Sequence, residues 1–149
     1  MGVAEALRGR RAYFDTNVFI YAIEGYPAYT PLLNVVYGLL ESGETEAATS
    51  EITLAEVLVK PLRDGNPALA GRYQDALQTS AGLTIIPVSR AILVEAAGIR
   101  AQRATIPLPD AIHIATAQAA GCQTLLTNDA RLMAAPGLQV LLLSELLTP

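Results

Sequence analysis

The sequence predicts an α/β protein, a parallel sheet covered by helices on both faces. Two observations carry that expectation. Short runs of β-type residues alternate with longer helical patterns along the chain. The strand-like runs are apolar with little polar alternation, as expected where both faces of a sheet are buried. Composition agrees, since 52% of the 149 residues are hydrophobic and only 16% charged, enough for a core and against disorder. No repeat, low-complexity tract or long linker interrupts the chain, so a single domain is expected over residues 1–149.

In order, strands are expected near Ala12–Phe14, Ala47–Thr49, Leu83–Val88, Thr124–Leu126 and Gln139–Leu143. Helices are expected near Asn17–Glu24, Thr30–Ser42, Ser50–Arg63, Pro67–Ser80, Ser89–Gln102 and Pro109–Ala120, with a short one at Ala130–Ala134. Gly25-Tyr26-Pro27 is the turn signal that separates the first two helices. Pro109 suits the first turn of its helix.

Several classes are excluded or made less attractive. A lone cysteine, Cys122, rules out an intramolecular disulfide, fits a reducing compartment, and reads as a structural thiol. Met1 to Arg11 carries Glu5, Arg8, Arg10 and Arg11 and lacks the apolar core of a signal peptide. Ala6 stands where a myristoylation motif wants Ser or Thr. No apolar run approaches the roughly 20 residues that span a bilayer, so no membrane association and a cytoplasmic location are expected. The net charge of −4 argues against a dedicated nucleic-acid binder. Yet four acids proposed below account for that whole excess, and two divalent cations would cancel it. Arg8, Arg10 and Arg11 form a small basic arm, and Arg100 and Arg103 lie one helical turn apart; both sets suit either phosphates or solvent.

Those four acids are Asp15, Glu56, Asp110 and Asp129, each at a strand-to-helix turn or early in a helix. In parallel α/β sheets ligands sit beyond the carboxyl ends of strands. Carboxylates converging there repel unless a cation holds them, and an all-oxygen set suits Mg²⁺ or Mn²⁺. Each acid also has an ordinary structural reading. Asp15 can cap a helix, although Asn17 can cap equally well and leave it free. Glu56 shares a helical stripe with Ile52, Ala55 and Val59, a costly place for an unpartnered carboxylate. It can instead pair with Lys60 or close the capping box Thr53-x-x-Glu56. Asp110 follows Pro109 in a first helical turn, where an acid is standard and the helix dipole keeps it ionised. Asp129 follows Thr127-Asn128 after a strand, a turn or cap position. The functional case rests on their joint placement.

Other chemistries are poorly supplied. His113 is the only histidine; one turn after Asp110, it can join a metal or pack between helices. Metal-free RNA cleavage through the 2′-hydroxyl typically uses two histidines. No G-x-S-x-G elbow, P-loop or G-x-G-x-x-G occurs. Asp15-Thr16-Asn17 lacks the second acid of an aspartyl phosphatase, and Lys60, the only lysine, is misplaced for a receiver domain. Tyr21, Tyr26 and Tyr29 lie near the expected site and suit either base stacking or core packing.

Four segments together resemble the PIN-domain ribonucleases, especially the VapC-type toxins of toxin–antitoxin pairs. They are Tyr13-Phe14-Asp15-Thr16-Asn17-Val18, Thr49-Ser50-Glu51-Ile52-Thr53-Leu54-Ala55-Glu56-Val57, Leu108-Pro109-Asp110-Ala111-Ile112-His113-Ile114-Ala115-Thr116-Ala117 and Leu125-Leu126-Thr127-Asn128-Asp129. The resemblance implies a three-layer α/β/α fold with a five-stranded parallel sheet. It implies that Asp15, Glu56, Asp110 and Asp129 bind metal and are catalytic, supported by the polar residues Asn17, Ser50, Thr127 and Asn128. It also implies homodimerisation and inhibition by a cognate antitoxin protein. Departures from the family pattern are the low basic content and the loop Gly25-Tyr26-Pro27-Ala28-Tyr29-Thr30-Pro31.

The expected activity is a Mg²⁺- or Mn²⁺-dependent endoribonuclease that hydrolyses RNA phosphodiester bonds. The alternative is a PIN-like module that binds RNA or protein without turnover. Leu54, Val57 and Leu58, opposite the Glu56 stripe, are expected to be partly covered by a second subunit or an antitoxin segment.

Overall fold

A computed structural model of the chain describes residues 2–147. Five strands form one all-parallel sheet: β1 (Arg11–Phe14), β2 (Glu46–Ser50), β3 (Leu83–Ile86), β4 (Thr124–Thr127) and β5 (Gln139–Leu142). Their spatial order is β3-β2-β1-β4-β5. The chain therefore builds outward from β1 on one side, then returns to build on the other. The reversal puts a topological switch point between β1 and β4, the place where α/β sheets open a crevice at their carboxyl edge.

Alternate residues of β1 face opposite layers. Ala12 and Phe14 pack into a core shared with α1 (Val3–Leu7), α2 (Thr16–Glu24), α3 (Thr30–Glu41), α4 (Glu51–Arg63), α5 (Pro67–Ala76) and α8 (Leu143–Leu146). Tyr13 points the other way, into a core with α6 (Arg90–Gln102) and α7 (Leu108–Ala119). Both faces are thus covered, which gives the expected three layers. The period-two alternation of a strand decides that Tyr13, not Phe14, meets α7.

Helix starts are built from local chemistry. Side chains of Asp15, Ser50, Asn66 and Ser89 accept backbone N–H groups at the starts of α2, α4, α5 and α6. Gly25, at φ 71°, ends α2 in the left-handed conformation and turns the chain sharply into Tyr26. Gly82 at φ 86° lies against the Leu40 carbonyl, where an added Cβ would stand 3.0 Å from that oxygen.

Most elements fall where expected, with three differences. The short helices α1 and α8 were not expected. Helix α5 stops at Ala76 rather than Ser80, because Ser80 turns back to pair with Leu83. On α4 the expected faces are exchanged. Thr53, Val57 and Pro61 are buried, and Leu54 and Leu58 pack against the same core, whereas Val59 is 60% exposed. The surface expected to need a partner is thus partly covered from within the chain. Val59 and Leu62 form the apolar face left open.

Candidate functional site

Register places the acidic residues. Phe14 pairs with Leu126 across β1 and β4, so Asp15 and Thr127 leave the sheet side by side. The Asp15 N–H donates to the Leu126 carbonyl at 3.0 Å, and the Thr127 hydroxyl donates to Asp15 Oδ2 at 2.6 Å. Asp15 Oδ1 accepts the Thr16 N–H at 2.8 Å, so the carboxylate does cap α2, and it is itself buried. Asn17 sends its amide toward Asp15 Oδ2 and Thr127 Oγ1, both at 3.4 Å, and its carbonyl accepts the Asn128 N–H at 3.2 Å. The polar residues after β4 therefore clamp the start of α2. Ser50 is fully buried and caps α4 through the Ile52 N–H; no hydrogen bond ties it to the acids.

Two nitrogen side chains, a histidine and an arginine, divide the acids between them. The inner one is His113, 1% exposed, reaching from α7. Its Nε2 lies 2.6 Å from Glu56 Oε1 and 3.7 Å from Asp15 Oδ1, and its Nδ1 lies 2.5 Å from the Tyr13 hydroxyl. The Thr16 hydroxyl donates to the same Glu56 oxygen at 2.8 Å. Burial opposes a charge on His113. The hydrogen bond to Glu56 and the negative charges of Asp15, Glu56 and Asp110 outweigh it, and its pKa is raised. For Glu56 too, burial works against the charge, but the hydrogen bond and charge of His113, with Thr16, hold its pKa low. The partner of Glu56 is thus His113, not Lys60.

The outer partner is Arg131, two residues beyond Asp129 in the 3-10 turn Ala130–Ala134. Its guanidinium takes both oxygens of Asp129, with Nη2 2.7 Å from Oδ2 and Nε 3.1 Å from each. These hydrogen bonds lower the Asp129 pKa. The same Nη2 is 3.7 Å from Asp110 Oδ2. Burial raises the Asp110 pKa; Arg131 opposes that, while the charges of Asp15 and Asp129 add to it. Asp110 Oδ2 is buried and accepts no hydrogen bond.

Among the described residues, no three His, Cys, Asp or Glu side chains stand close enough together to hold an ion as they are. Glu56 is instead paired with His113, and Asp129 with Arg131. The set nevertheless fits a hard cation. Its donors are carboxylate oxygens, and a buried carboxylate oxygen without a donor is an arrangement proteins avoid unless a partner arrives.

The basic arm lies elsewhere. Arg11 begins β1 whereas Asp15 follows its end, so the arm stands at the opposite edge of the sheet. Arg8 is paired with Glu44 at 2.9 Å and Arg10 donates to Gln139 at 2.9 Å. Neither of these two is a free phosphate binder at the acidic edge.

The sequence reading did not single out Tyr13, Thr16 or Arg131, and gave His113 no settled role. Short spacing was the available signal: Tyr13 and Thr16 flank Asp15, and Arg131 follows Asp129 by two residues. Nothing in the spacing shows that Tyr13 and Glu56 grip the two nitrogens of one imidazole.

The comparisons agree with this fold. The PIN domain family model matches residues 12–138. A toxin–antitoxin complex from Klebsiella pneumoniae contains a chain 28% identical, with a TM-score of 0.64, covering 89% of this chain and 97% of that one. VapBC2 from Rickettsia felis, bound to a DNA fragment from its promoter, matches at 22% identity and a TM-score of 0.69, over 88% of this chain and 97% of that one. DNA-bound VapBC from Salmonella typhimurium matches at 19% identity and a TM-score of 0.69, over 90% and 98%. The last two likenesses speak for the fold alone. Among curated proteins the chain has no match. With a five-stranded parallel sheet and a family match over most of its length, the chain belongs to the PIN domain family.

Proposed function

We propose that this protein is a metal-dependent endoribonuclease, the toxin of a toxin–antitoxin pair, acting as one catalytic unit over residues 1–149. The observation that carries the reading is the carboxyl edge of β1 and β4, where Asp15 and Asp129 follow the strands, Asp110 lies within reach of both their charges, and one buried Asp110 oxygen accepts no hydrogen bond. Asp15, Asp110 and Asp129 would hold Mg²⁺ or Mn²⁺, and Glu56 would bind it or orient the attacking water. When bound, the cation would promote water activation and neutralise charge building on the phosphoryl group.

The chain's own residues supply the rest. Thr127 and the Thr16 N–H fix both oxygens of Asp15. His113 holds Glu56 in its ionised form and sets its orientation from behind. Asn17 and Asn128 lock the loop after β4 against α2, which fixes the approach of Asp129. A preorganised set of this kind lowers the reorganisation needed when charge develops on the substrate.

The toxin assignment is supported by the Klebsiella pneumoniae complex, whose description is a toxin–antitoxin complex. A cognate antitoxin, a homodimer and a cytoplasmic location belong to the same proposal. Among the described residues, no helix is long and apolar enough to cross a membrane. The second reading, a PIN-like module that binds RNA or protein without turnover, draws on the fact that the acids do not form a ready-made cage. Incubation with a mixed panel of structured RNAs decides between them. The nuclease reading expects Mn²⁺-dependent cleavage leaving 5′-phosphate and 3′-hydroxyl ends, lost on Asp110→Asn. Cyclic phosphate ends would refute the mechanism, and Mn²⁺ and RNA binding without cleavage would favour the module.

A further inference from the structure

Next to the acids stands a cluster of three tyrosines that the mechanism above leaves without a task. The rings of Tyr21 and Tyr29 are parallel to within 10° with centroids 4.7 Å apart, and Tyr26 lies 4.6 Å from Tyr21 at 33°. Tyr21 is therefore the member shared by both pairs. Tyr26 is 41% exposed, the most open of the three.

The cluster is tied to the loop that carries Asp129. The Asn128 amide donates to the Tyr29 hydroxyl at 2.9 Å and to the Tyr21 hydroxyl at 3.3 Å. Asn128 is the residue between Thr127, which holds Asp15, and Asp129. Its own carbonyl accepts the Ser144 N–H at 3.1 Å, so the bridge is anchored on both sides. The turn that carries Tyr26 is equally held. The Tyr26 N–H donates to the Tyr21 carbonyl, while the Tyr26 carbonyl accepts the N–H groups of Tyr29 and Thr30 and the Thr30 hydroxyl. Tyr26 is thus presented on a rigid turn, and its hydroxyl has no side-chain partner among the described residues.

We propose that Tyr26 is a nucleobase platform, onto which an unpaired base of the RNA beside the scissile phosphate stacks and extends the tyrosine ladder. This rests on the ribonuclease reading above and narrows its substrate to RNA with an unstacked base at the cleavage site. Proteins that recognise single-stranded RNA stack splayed bases on aromatic rings, and the contact tolerates any base because each has a π face. Such stacking also suits an acidic protein, since it gains affinity from ring area rather than from positive charge. Pre-stacking on Tyr21 and Tyr29 means that little side-chain freedom is lost when the base arrives.

The test uses the full chain carrying Asp110→Asn, so that RNA stays intact, and a single-stranded RNA oligonucleotide with one 2-aminopurine. Fluorescence quenching reports stacking, and a matched oligonucleotide with an abasic site at that position is the comparison. On the proposal, Tyr26→Ala weakens binding of the intact oligonucleotide by about 10-fold and abolishes quenching. It leaves the weaker binding of the abasic oligonucleotide unchanged. Tyr26→Phe, which keeps the ring, binds like the parent. Equal weakening of both oligonucleotides by Tyr26→Ala, or no change in either, would overturn the platform while leaving RNA binding standing. Absence of any RNA binding by the parent would instead overturn the RNA reading, and the platform with it.

Discussion

Nε2 of the buried His113 sits 2.6 Å from Glu56 Oε1, a contact that joins α7 of one layer to α4 of the other. The imidazole is gripped at both nitrogens, by Glu56 on one side and the Tyr13 hydroxyl on the other. Replacing it takes a partner from the buried Tyr13 hydroxyl, while Glu56, more exposed, keeps the Thr16 hydroxyl. Leaving a buried polar group unsatisfied costs about 1–3 kcal/mol, and each kcal/mol moves the melting temperature of a domain this size by about 2–4 °C. His113→Leu should therefore lower the melting temperature by about 2–12 °C. It should also impair cleavage, because Glu56 loses its orientation. A thermal melt within 1 °C of wild type, taken as roughly the scatter of such a comparison, would show that the contact contributes nothing.

The same pair sets a pH dependence. The His113 pKa is raised, so its contribution is full below the unfolded value of about 6.5 and is lost as pH rises through the folded value. The Glu56 pKa is lowered, so its contribution is full above the unfolded value of about 4.3 and is lost as pH falls through the folded value. Their joint contribution is greatest between those two unfolded values and declines toward alkaline pH. Denaturant titrations across pH 5 to 9 should show the fall above neutrality in wild type, and His113→Leu should flatten it.

Thr127 offers a sharper probe of Asp15. Its single hydroxyl donates to Asp15 Oδ2 and accepts the Asp129 N–H at 3.0 Å. Thr127→Val keeps the shape and removes these two bonds together with the longer one from the Asn17 amide. The expected result is a loss of about 1–3 kcal/mol of stability, with RNA cleavage reduced more than RNA binding. Equal losses in cleavage and binding would show that the Thr127–Asp15 bond has no particular part in the chemical step.

Arg131 should compete with a metal ion. It chelates Asp129 and approaches Asp110, the two acids without help from His113 at hydrogen-bond distance. Arg131→Gln removes that resident cation and should tighten Mn²⁺ binding several-fold by isothermal titration calorimetry. Unchanged or weaker binding would show that Arg131 does not stand in the ion's way.

Much of this was legible in the sequence for physical reasons. Buried parallel strands are continuous apolar runs, so β1 to β5 stand out, and the acids follow strands or open helices in a recognisable order. What was not legible depends on three-dimensional pairing. The wheel of α4 showed two apolar arcs, and only packing against Tyr73 and the other core residues chose Val57 over Val59 as the inward side. The acids were expected to repel one another in the absence of metal. Arg131 and His113 already relieve that repulsion, which no spacing along the chain displays. Short helices such as α1 carry too few residues for a period to show.

The central claim is that these carboxylates form one divalent-cation site, and the most direct test is the Mn²⁺-induced change in melting temperature of wild type against Asp110→Asn. A ligand that binds only the native state at about 100 times its Kd adds about 2.7 kcal/mol, or about 5–10 °C for a domain this size. Wild type should show that rise. Asp110→Asn should show none, yet be at least as stable as wild type without metal, because burial and the nearby acids disfavour the Asp110 charge. Glu51→Gln, in the exposed first turn of α4, should behave as wild type. A rise of equal size in wild type and Asp110→Asn, or none in either, would contradict the account.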